Sequence, residues 1–311
     1  MRAIMQNEWD GPDAVRLVEV PEPHPDPTEV KVRVHAAAVN PVDYYTSRGL
    51  AYNRVLALPF IHGWDVAGVV EEVGYGVTRF RVGDRVFGMP WFPRQAGGYA
   101  EFVTAPSRHL ATIPTGLSFT EAAALPLAGL TAWQMLVDVA GTAPGQRVLV
   151  SAAAGGVGHL AVQIAKSLGA YVIGTARAAK HDFVRSLGAD EVVDYTTTPV
   201  HEVVGGVDVV IQMFGGAAGR EALNCLRPNG ILVSAQAAWT PGLFERASEL
   251  NVHAYDYLVE PDATGMQSIA ELVASQRLHV HVTTTYPLDE AAQALKAIGD
   301  GRTTGKIVLT V

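Results

Sequence analysis

The chain has 311 residues, of which 49% are hydrophobic and 17% charged, which excludes a disordered polymer and supplies enough apolar material for two domains or one large α/β unit. Lys and Arg total 23 against 31 Asp and Glu, a formal charge of −8 that disfavours a polyanion such as nucleic acid as a partner. The one cysteine, Cys225, excludes an intramolecular disulfide or a multi-cysteine metal cage. The opening Met1-Arg2-Ala3-Ile4-Met5-Gln6 lacks the apolar run of a signal peptide, and no run of about 18 uncharged apolar residues follows, so no membrane span is expected and a reducing cytoplasmic setting is.

The first 120 residues read as β-rich. Val30-Lys31-Val32-Arg33-Val34 alternates with the period of a half-buried strand, Val66 to Gly74 is a second extended run, and Gly83 to Gly88 is a short strand between glycines. Pro21, Pro23, Pro25 and Pro27 impose an irregular connection. Near residue 120 the pattern turns helical: Thr120 to Pro126 opens a helical region, with Thr120 as its expected N-cap.

From Arg147 onward, short apolar strands alternate with amphipathic helices. Strands are expected at Val148–Ser151, Tyr171–Thr175, Asp190–Asp194, Val207–Ile211 and Gly230–Ser234, and helices at Val157–Leu168 and His181–Leu187. This alternation implies a doubly wound parallel sheet. The tail adds a helix near Met266 to Ser275, a strand Val282–Tyr286, a helix Leu288–Ile298 and a last strand Ile307–Val311.

The sharpest local signal is Val148-Leu149-Val150-Ser151-Ala152-Ala153-Ala154-Gly155-Gly156-Val157-Gly158, a strand that runs into a glycine-rich turn opening a helix. Gly155 admits a pyrophosphate to the backbone, Gly158 lets helix and strand pack closely, and the helix N-terminus offers N–H groups and positive dipole charge. Ala153 stands where the strict G-x-G-x-x-G fingerprint has its first glycine. About 20 residues on, NAD sites place a carboxylate for the ribose 2′-hydroxyl. Here the position is Thr175, followed by Arg177 and Lys180, a set that suits the 2′-phosphate of NADP.

With these elements placed, the chain resembles the medium-chain dehydrogenase/reductase superfamily, and within it the zinc-independent, zeta-crystallin-like quinone oxidoreductases. The carriers are Asn40-Pro41-Val42-Asp43-Tyr44-Tyr45, Pro59-Phe60-Ile61-His62-Gly63-Trp64-Asp65-Val66-Ala67-Gly68, Val82-Gly83-Asp84-Arg85-Val86-Phe87-Gly88, Gly97-Gly98-Tyr99-Ala100-Glu101, Leu127-Ala128-Gly129-Leu130-Thr131-Ala132, the turn at Ala154-Gly155-Gly156-Val157-Gly158, and Gly301-Arg302-Thr303-Thr304-Gly305-Lys306-Ile307-Val308-Leu309. The resemblance implies an α/β chain with a GroES-like catalytic domain (residues 1–122 and 260–311) and an inserted Rossmann NADP-binding domain (residues 123–259), the cofactor lying in the cleft between them. Zinc enzymes of the superfamily carry a Cys near Asn40 to Asp43 and a Gly-His-Glu where this chain has Gly63-Trp64-Asp65, and no histidine here pairs with a cysteine at ligand spacing, so no metal is expected.

The resemblance further implies Asn40, Asp43 and Tyr45 as the catalytic set facing nicotinamide and substrate. It implies cofactor contacts from Tyr52, Thr131, Ala154, Gly155, Gly156, Val157, Thr175, Arg177, Lys180, Tyr195, Phe214, Gly215, Gly216, Ser234, Ala235, Gln236, Leu258 and Val259. Asn40-Pro41 is equally a turn initiator, and Asp43 equally a helix-capping residue. The expected activity is NADPH-dependent hydride transfer to a quinone or related conjugated carbonyl. Reduction of an enoyl-thioester or alkenal double bond is the alternative, and a non-catalytic NADPH-binding protein the alternative of another class. Asn251 to Tyr257 is expected as a sheet edge that joins two chains into a homodimer.

Overall fold

A computed structural model describes residues Met1–Val311. In chain order the first stretch contains β1 (Arg2–Gln6), β2 (Val15–Glu19), β3 (Glu29–Val39), α1 (Pro41–Ser47), β4 (Phe60–Ile61), β5 (Val66–Val73), β6 (Arg85–Gly88), β7 (Phe102–Pro106), β8 (Leu110–Thr112), α2 (Phe119–Ala123) and α3 (Pro126–Trp133). A π-helical turn, Gln134–Val139, extends α3. Next come β9 (Arg147–Val150), α4 (Gly158–Ser167), β10 (Tyr171–Thr175), α5 (His181–Ser186), β11 (Glu191–Val193), α6 (Val200–Val203), β12 (Val207–Gln212), α7 (Gly216–Glu221), β13 (Leu226–Ser234), α8 (Leu243–Glu249) and β14 (His253–Asp256). The chain ends with α9 (Ala263–Ala274), β15 (Val282–Pro287), α10 (Ala291–Gly299) and β16 (Lys306–Thr310). No helix is long and apolar enough to cross a membrane.

Two compact units result: Met1–Leu130 with Glu260–Ser275 and Val280–Val311, and Thr131–Val259 with Gln276–His279. The expected boundary at 122/123 thus shifts to 130/131. The reason is that α2 packs on β3 and β5 of the first unit, so the change of composition near 120 marks a helix of that unit. The short segment Gln276–His279 joins the second unit because Gln163 brackets His279, donating to its carbonyl and accepting from its N–H, both at 2.9 Å.

The first unit is built on a sheet of order β15-β16-β3-β5-β6-β8, with β7 also paired to β3, and a smaller sheet β2-β1-β4. The alternation expected for β3 is observed: Val30, Val32 and Val34 enter the core while Arg33 and His35 face out. Lys31 breaks the pattern by being buried. Its stem lies inward and its ammonium reaches Glu72 at 3.3 Å and Glu22 at 3.7 Å. The N-cap of α2 is Ser118, not Thr120. Ser118 Oγ accepts from the Glu121 N–H at 3.2 Å while the Glu121 carboxylate accepts from the Ser118 N–H at 3.0 Å. The Ser-x-x-Glu spacing satisfies two orphan N–H groups at once, which a cap at Thr120 does not.

The second unit is a six-stranded parallel sheet of order β11-β10-β9-β12-β13-β14. Counted within the unit, this is the 3-2-1-4-5-6 order of a dinucleotide-binding fold. Parallel pairing buries both faces, and Val148, Val150, Val172, Ile173, Val210, Ile211, Leu232 and Val233 are wholly enclosed. β14 is the outermost strand, bonded to β13 alone, and three of its four residues are exposed. The tail helix α9 packs on β8 within the first unit.

Candidate functional site

In the second unit, β9 delivers the chain into the turn Ser151–Val157. Backbone bonds from Ala153 N–H to Thr175 O at 2.9 Å and from Ser151 N–H to Ile211 O at 3.0 Å tie its start to the two flanking strands. The glycines have separate jobs. A Cβ on Gly158 would stand 2.2 Å from the Ala152 carbonyl oxygen, so α4 begins this close to the strand only without a side chain there. A Cβ on Gly155 would meet nothing nearer than that same oxygen at 3.2 Å, so Gly155 leaves the turn open rather than closing it. Ala153 fits in place of the first fingerprint glycine because it faces Gly174, where a Cβ would come within 2.9 Å of the Ala153 methyl.

The strand after the turn carries the proposed 2′-phosphate residues. Thr175 is buried, and its hydroxyl accepts from the Ala152 N–H at 3.2 Å, so this side chain holds the turn. Arg177 is exposed and donates from Nε to the Tyr195 hydroxyl at 3.3 Å. Burial, and then the Arg177 charge, pull the Lys180 ammonium below its usual range. Two cations thus follow the end of β10, near enough for one charge to act on the other. The neighbouring Asp194 carboxylate is spent on the Ala178 N–H at 3.0 Å and on Thr196, whose N–H it accepts at 2.9 Å and hydroxyl at 2.6 Å. A backbone cradle followed by paired cations fits a pyrophosphate and a further phosphate.

The remaining cofactor candidates of this unit follow the carboxyl ends of the other parallel strands. Phe214, Gly215 and Gly216 follow β12. Ser234 ends β13, its hydroxyl accepting from the Gln236 N–H at 3.0 Å, and the Ala235 N–H donates to Gln212 O at 3.0 Å. Leu258 and Val259 follow β14, one exposed and one buried, and the preceding Tyr257 donates to the Gln134 side chain in the π-helical turn. Thr131 is buried in α3. The sheet therefore gathers Ala154–Val157, Thr175–Lys180, Tyr195, Phe214–Gly216, Ser234–Gln236 and Leu258–Val259 at one edge, where parallel sheets bind ligands.

In the first unit the catalytic candidates separate. Asn40 is the N-cap of α1 and only 2% exposed. Asp43 is wholly enclosed. Its Oδ2 accepts from the Asn40 N–H at 2.7 Å and from the Tyr99 hydroxyl at 2.9 Å, and Oδ1 has no partner. This carboxyl caps the helix. Tyr45 is 46% exposed on α1, its ring edge-on to that of Tyr44. Tyr52 stands edge-on to Trp64 and Phe92, and burial pushes its hydroxyl up to about 12, so it stays a donor at any working pH.

Two further residues complete the buried cluster. Asp65 accepts from Asn40 Nδ2 at 2.9 Å and from the Leu127 N–H at 2.8 Å, and Lys306 donates to Asn40 Oδ1 and lies 3.8 Å from Asp65. One ammonium faces two carboxyls out of water, so the cluster is a proton short of neutrality. Burial, with the Asp65 charge adding to it, raises Asp43 to about 7, and burial raises Asp65 to about 6. Sequence reading missed both roles. Asp65 stood as a departure from a zinc ligand, and Lys306 only as part of the Gly301–Leu309 motif, outside the strand expected from Ile307; a lysine directly before the apolar run Ile307-Val308-Leu309 was the available signal.

The raised Asp43 value carries a pH signature. The native protein holds a proton that the unfolded chain, with its carboxyl at an ordinary 3.8, gives up. This contribution is complete below 3.8 and is lost as the pH rises through about 7. Urea unfolding of wild type and Asp43→Asn at about pH 5 and about pH 7.5 should show the larger loss of midpoint in the wild type. Equal losses would place the proton elsewhere.

The donor set does not fit zinc. No group of three or more His, Cys, Asp or Glu side chains is placed to hold a metal ion. Trp64 donates its indole N–H to the Arg94 carbonyl at 2.7 Å, and His62 is buried with Nε2 2.6 Å from Gln6 Oε1. A polar groove of about 490 Å³ beside Trp9, Asp13, Arg48 and Lys296 includes none of the candidate residues.

Comparison with known proteins matches residues 26–115 to the alcohol dehydrogenase GroES-like domain and residues 187–309 to a zinc-binding dehydrogenase domain. A chloroplast envelope quinone oxidoreductase homolog of Arabidopsis thaliana is 34% identical over 99% of this chain and 98% of its own. A 2-haloacrylate reductase from a Burkholderia species is 35% identical over the same shares. The solved quinone oxidoreductase of Escherichia coli, complexed with NADPH, superposes with a TM-score of 0.91 at 28% identity, covering 100% of both chains.

Proposed function

The chain belongs to the medium-chain dehydrogenase/reductase superfamily, in its zeta-crystallin-like quinone oxidoreductase group, and is an oxidoreductase that takes a nicotinamide cofactor; from that premise we propose that it uses NADPH to reduce a quinone or related conjugated carbonyl without a metal. When bound, NADPH supplies the hydride. The turn from Ala154 to Gly158 receives the pyrophosphate. Arg177 and Lys180 take the 2′-phosphate, with Tyr195 holding the guanidinium. The observation that carries the NADP reading is this pair of cations beyond β10, where an NAD site presents a carboxylate.

A conjugated carbonyl already accepts hydride, so the protein's task is to meet the negative charge that grows on oxygen. Tyr45 and Tyr52 are the donors suited to that task, one exposed and one held neutral by burial. Asn40 orients the carboxamide of the cofactor or the substrate oxygen, and Asp43 serves by fixing the start of α1. Oxidation of NADPH against a panel of quinones, alkenals and enoyl thioesters tests the reading. We expect the highest kcat/KM on a quinone. Turnover of enoyl thioesters or alkenals without quinones would favour the double-bond reductase. Binding of NADPH with no turnover on any member would favour a non-catalytic protein.

The reading extends to a cytoplasmic homodimer. β14 is the outermost strand, with three exposed residues, and the backbone groups on its outer side suit antiparallel pairing with a second copy. Light scattering at micromolar concentration should give twice the chain mass of 33.0 kDa, and a monomer mass would reject the pairing.

A further inference from the structure

Lys306 opens β16 and is 2% exposed, an unusual place for an ammonium. Its Nζ donates to Asn40 Oδ1. On the other side of the same carboxamide, Asn40 Nδ2 donates to Asp65 Oδ2 at 2.9 Å. Asp65 is itself fixed, because its Oδ1 accepts from the Leu127 N–H at 2.8 Å near the start of α3. Elements far apart in the chain, the end of β3, the entry to β5 and the start of β16, converge on one amide.

The chemistry of the two partners makes this arrangement directional. An ammonium only donates and an ionised carboxylate only accepts. Turning the Asn40 amide over would set its NH₂ against Lys306 and its oxygen against Asp65, exchanging two attractions for two repulsions where no water screens them. The amide therefore has one orientation, with one N–H left over after the bond to Asp65. A methionine at 306 would fill the same volume without the desolvation that a buried lysine requires. Burial pulls the Lys306 ammonium below its usual range, and the Asp65 and Asp43 charges oppose that pull.

We infer that Lys306 and Asp65 are positioning residues that fix which face the Asn40 carboxamide turns to the nicotinamide cofactor and substrate. The inference rests on the role proposed for Asn40 above. Both residues act through Asn40, because each is hydrogen-bonded to its carboxamide, Lys306 to the oxygen and Asp65 to the nitrogen.

Two measurements test it. In cofactor-free protein, the side-chain amide resonances of Asn40, assigned by their disappearance in Asn40→Ala, should move and exchange faster with solvent in Lys306→Met. Unmoved resonances would overturn the inference. In the second, kcat with a quinone is measured for Asn40→Ala, Lys306→Met and the double variant. Each single change should lower kcat by at least about tenfold, and the double variant should lose no more than about twofold beyond Asn40→Ala. Multiplying losses would show that Lys306 acts elsewhere and overturn the inference alone. An Asn40→Ala enzyme with wild-type kcat would remove the role of Asn40, and this inference with it. If Lys306→Met leaves Asp65 too poorly compensated to fold, Asp65→Asn/Lys306→Met removes both charges together and supplies the same arms.

Discussion

Arg177→Glu should raise the KM for NADPH by about two orders of magnitude while leaving that for NADH within about twofold. The guanidinium is exposed beyond β10 and held by the Tyr195 hydroxyl, so its loss costs the core nothing and the effect falls on the nucleotide. A charge-assisted bond to phosphate is worth about 1.5–3 kcal/mol, and each 1.4 kcal/mol is about tenfold in affinity. The new carboxylate adds repulsion from the 2′-phosphate, whereas the 2′-hydroxyl of NADH accepts a carboxylate as partner. Equal losses for both nucleotides would remove Arg177 from the 2′-phosphate site. Fluorescence titration of the two cofactors reads the difference directly.

Gly158→Ala should abolish binding of both nucleotides and lower the urea midpoint. The added Cβ would stand 2.2 Å from the Ala152 oxygen and 2.8 Å from the Ala153 Cα, all backbone, so the turn or the helix must move. Overpacking of this kind typically costs about 1–3 kcal/mol, and here the displaced backbone is the cradle itself. Gly155→Ala is the control, since its nearest neighbour lies at 3.2 Å and its fold should be kept. A Gly158→Ala protein with unchanged midpoint and unchanged NADPH affinity would show that the turn is not the phosphate cradle.

The nucleotide-binding unit was largely legible from sequence because its signals are local. A parallel strand buried on both faces is a short apolar run, and the phosphate turn is one contiguous segment. The strands expected at Tyr171–Thr175 and Val207–Ile211 stand as β10 and β12, and Asn251–Tyr257 contains the outermost strand β14. Local rules also misled. Thr120 looked like a cap because the Ala-rich run follows it, while the reciprocal Ser118–Glu121 bonds start the helix two residues earlier. The cluster around Asn40 was only half legible. Asn40 and Asp43 lie on one motif, but the groups that orient them, Asp65, Tyr99 and Lys306, come from other parts of the chain. Asp43 illustrates the limit. The resemblance implied it in the catalytic set and the motif read it equally as a helix-capping residue; full burial and the bonds from the Asn40 N–H and the Tyr99 hydroxyl, the latter from a distant segment, show the capping role.

The central claim is that the chain's own side chains, with NADPH and no metal, suffice for hydride transfer. It is tested most directly by following oxidation of NADPH, and of NADPH deuterated at the transferred position, by a quinone in protein exhaustively treated with chelator. The account predicts undiminished turnover with NADPH strongly preferred over NADH, and single-turnover oxidation slowed by the deuterium. Activity that vanishes on chelation and returns with zinc, or NADH used as well as NADPH, would contradict it.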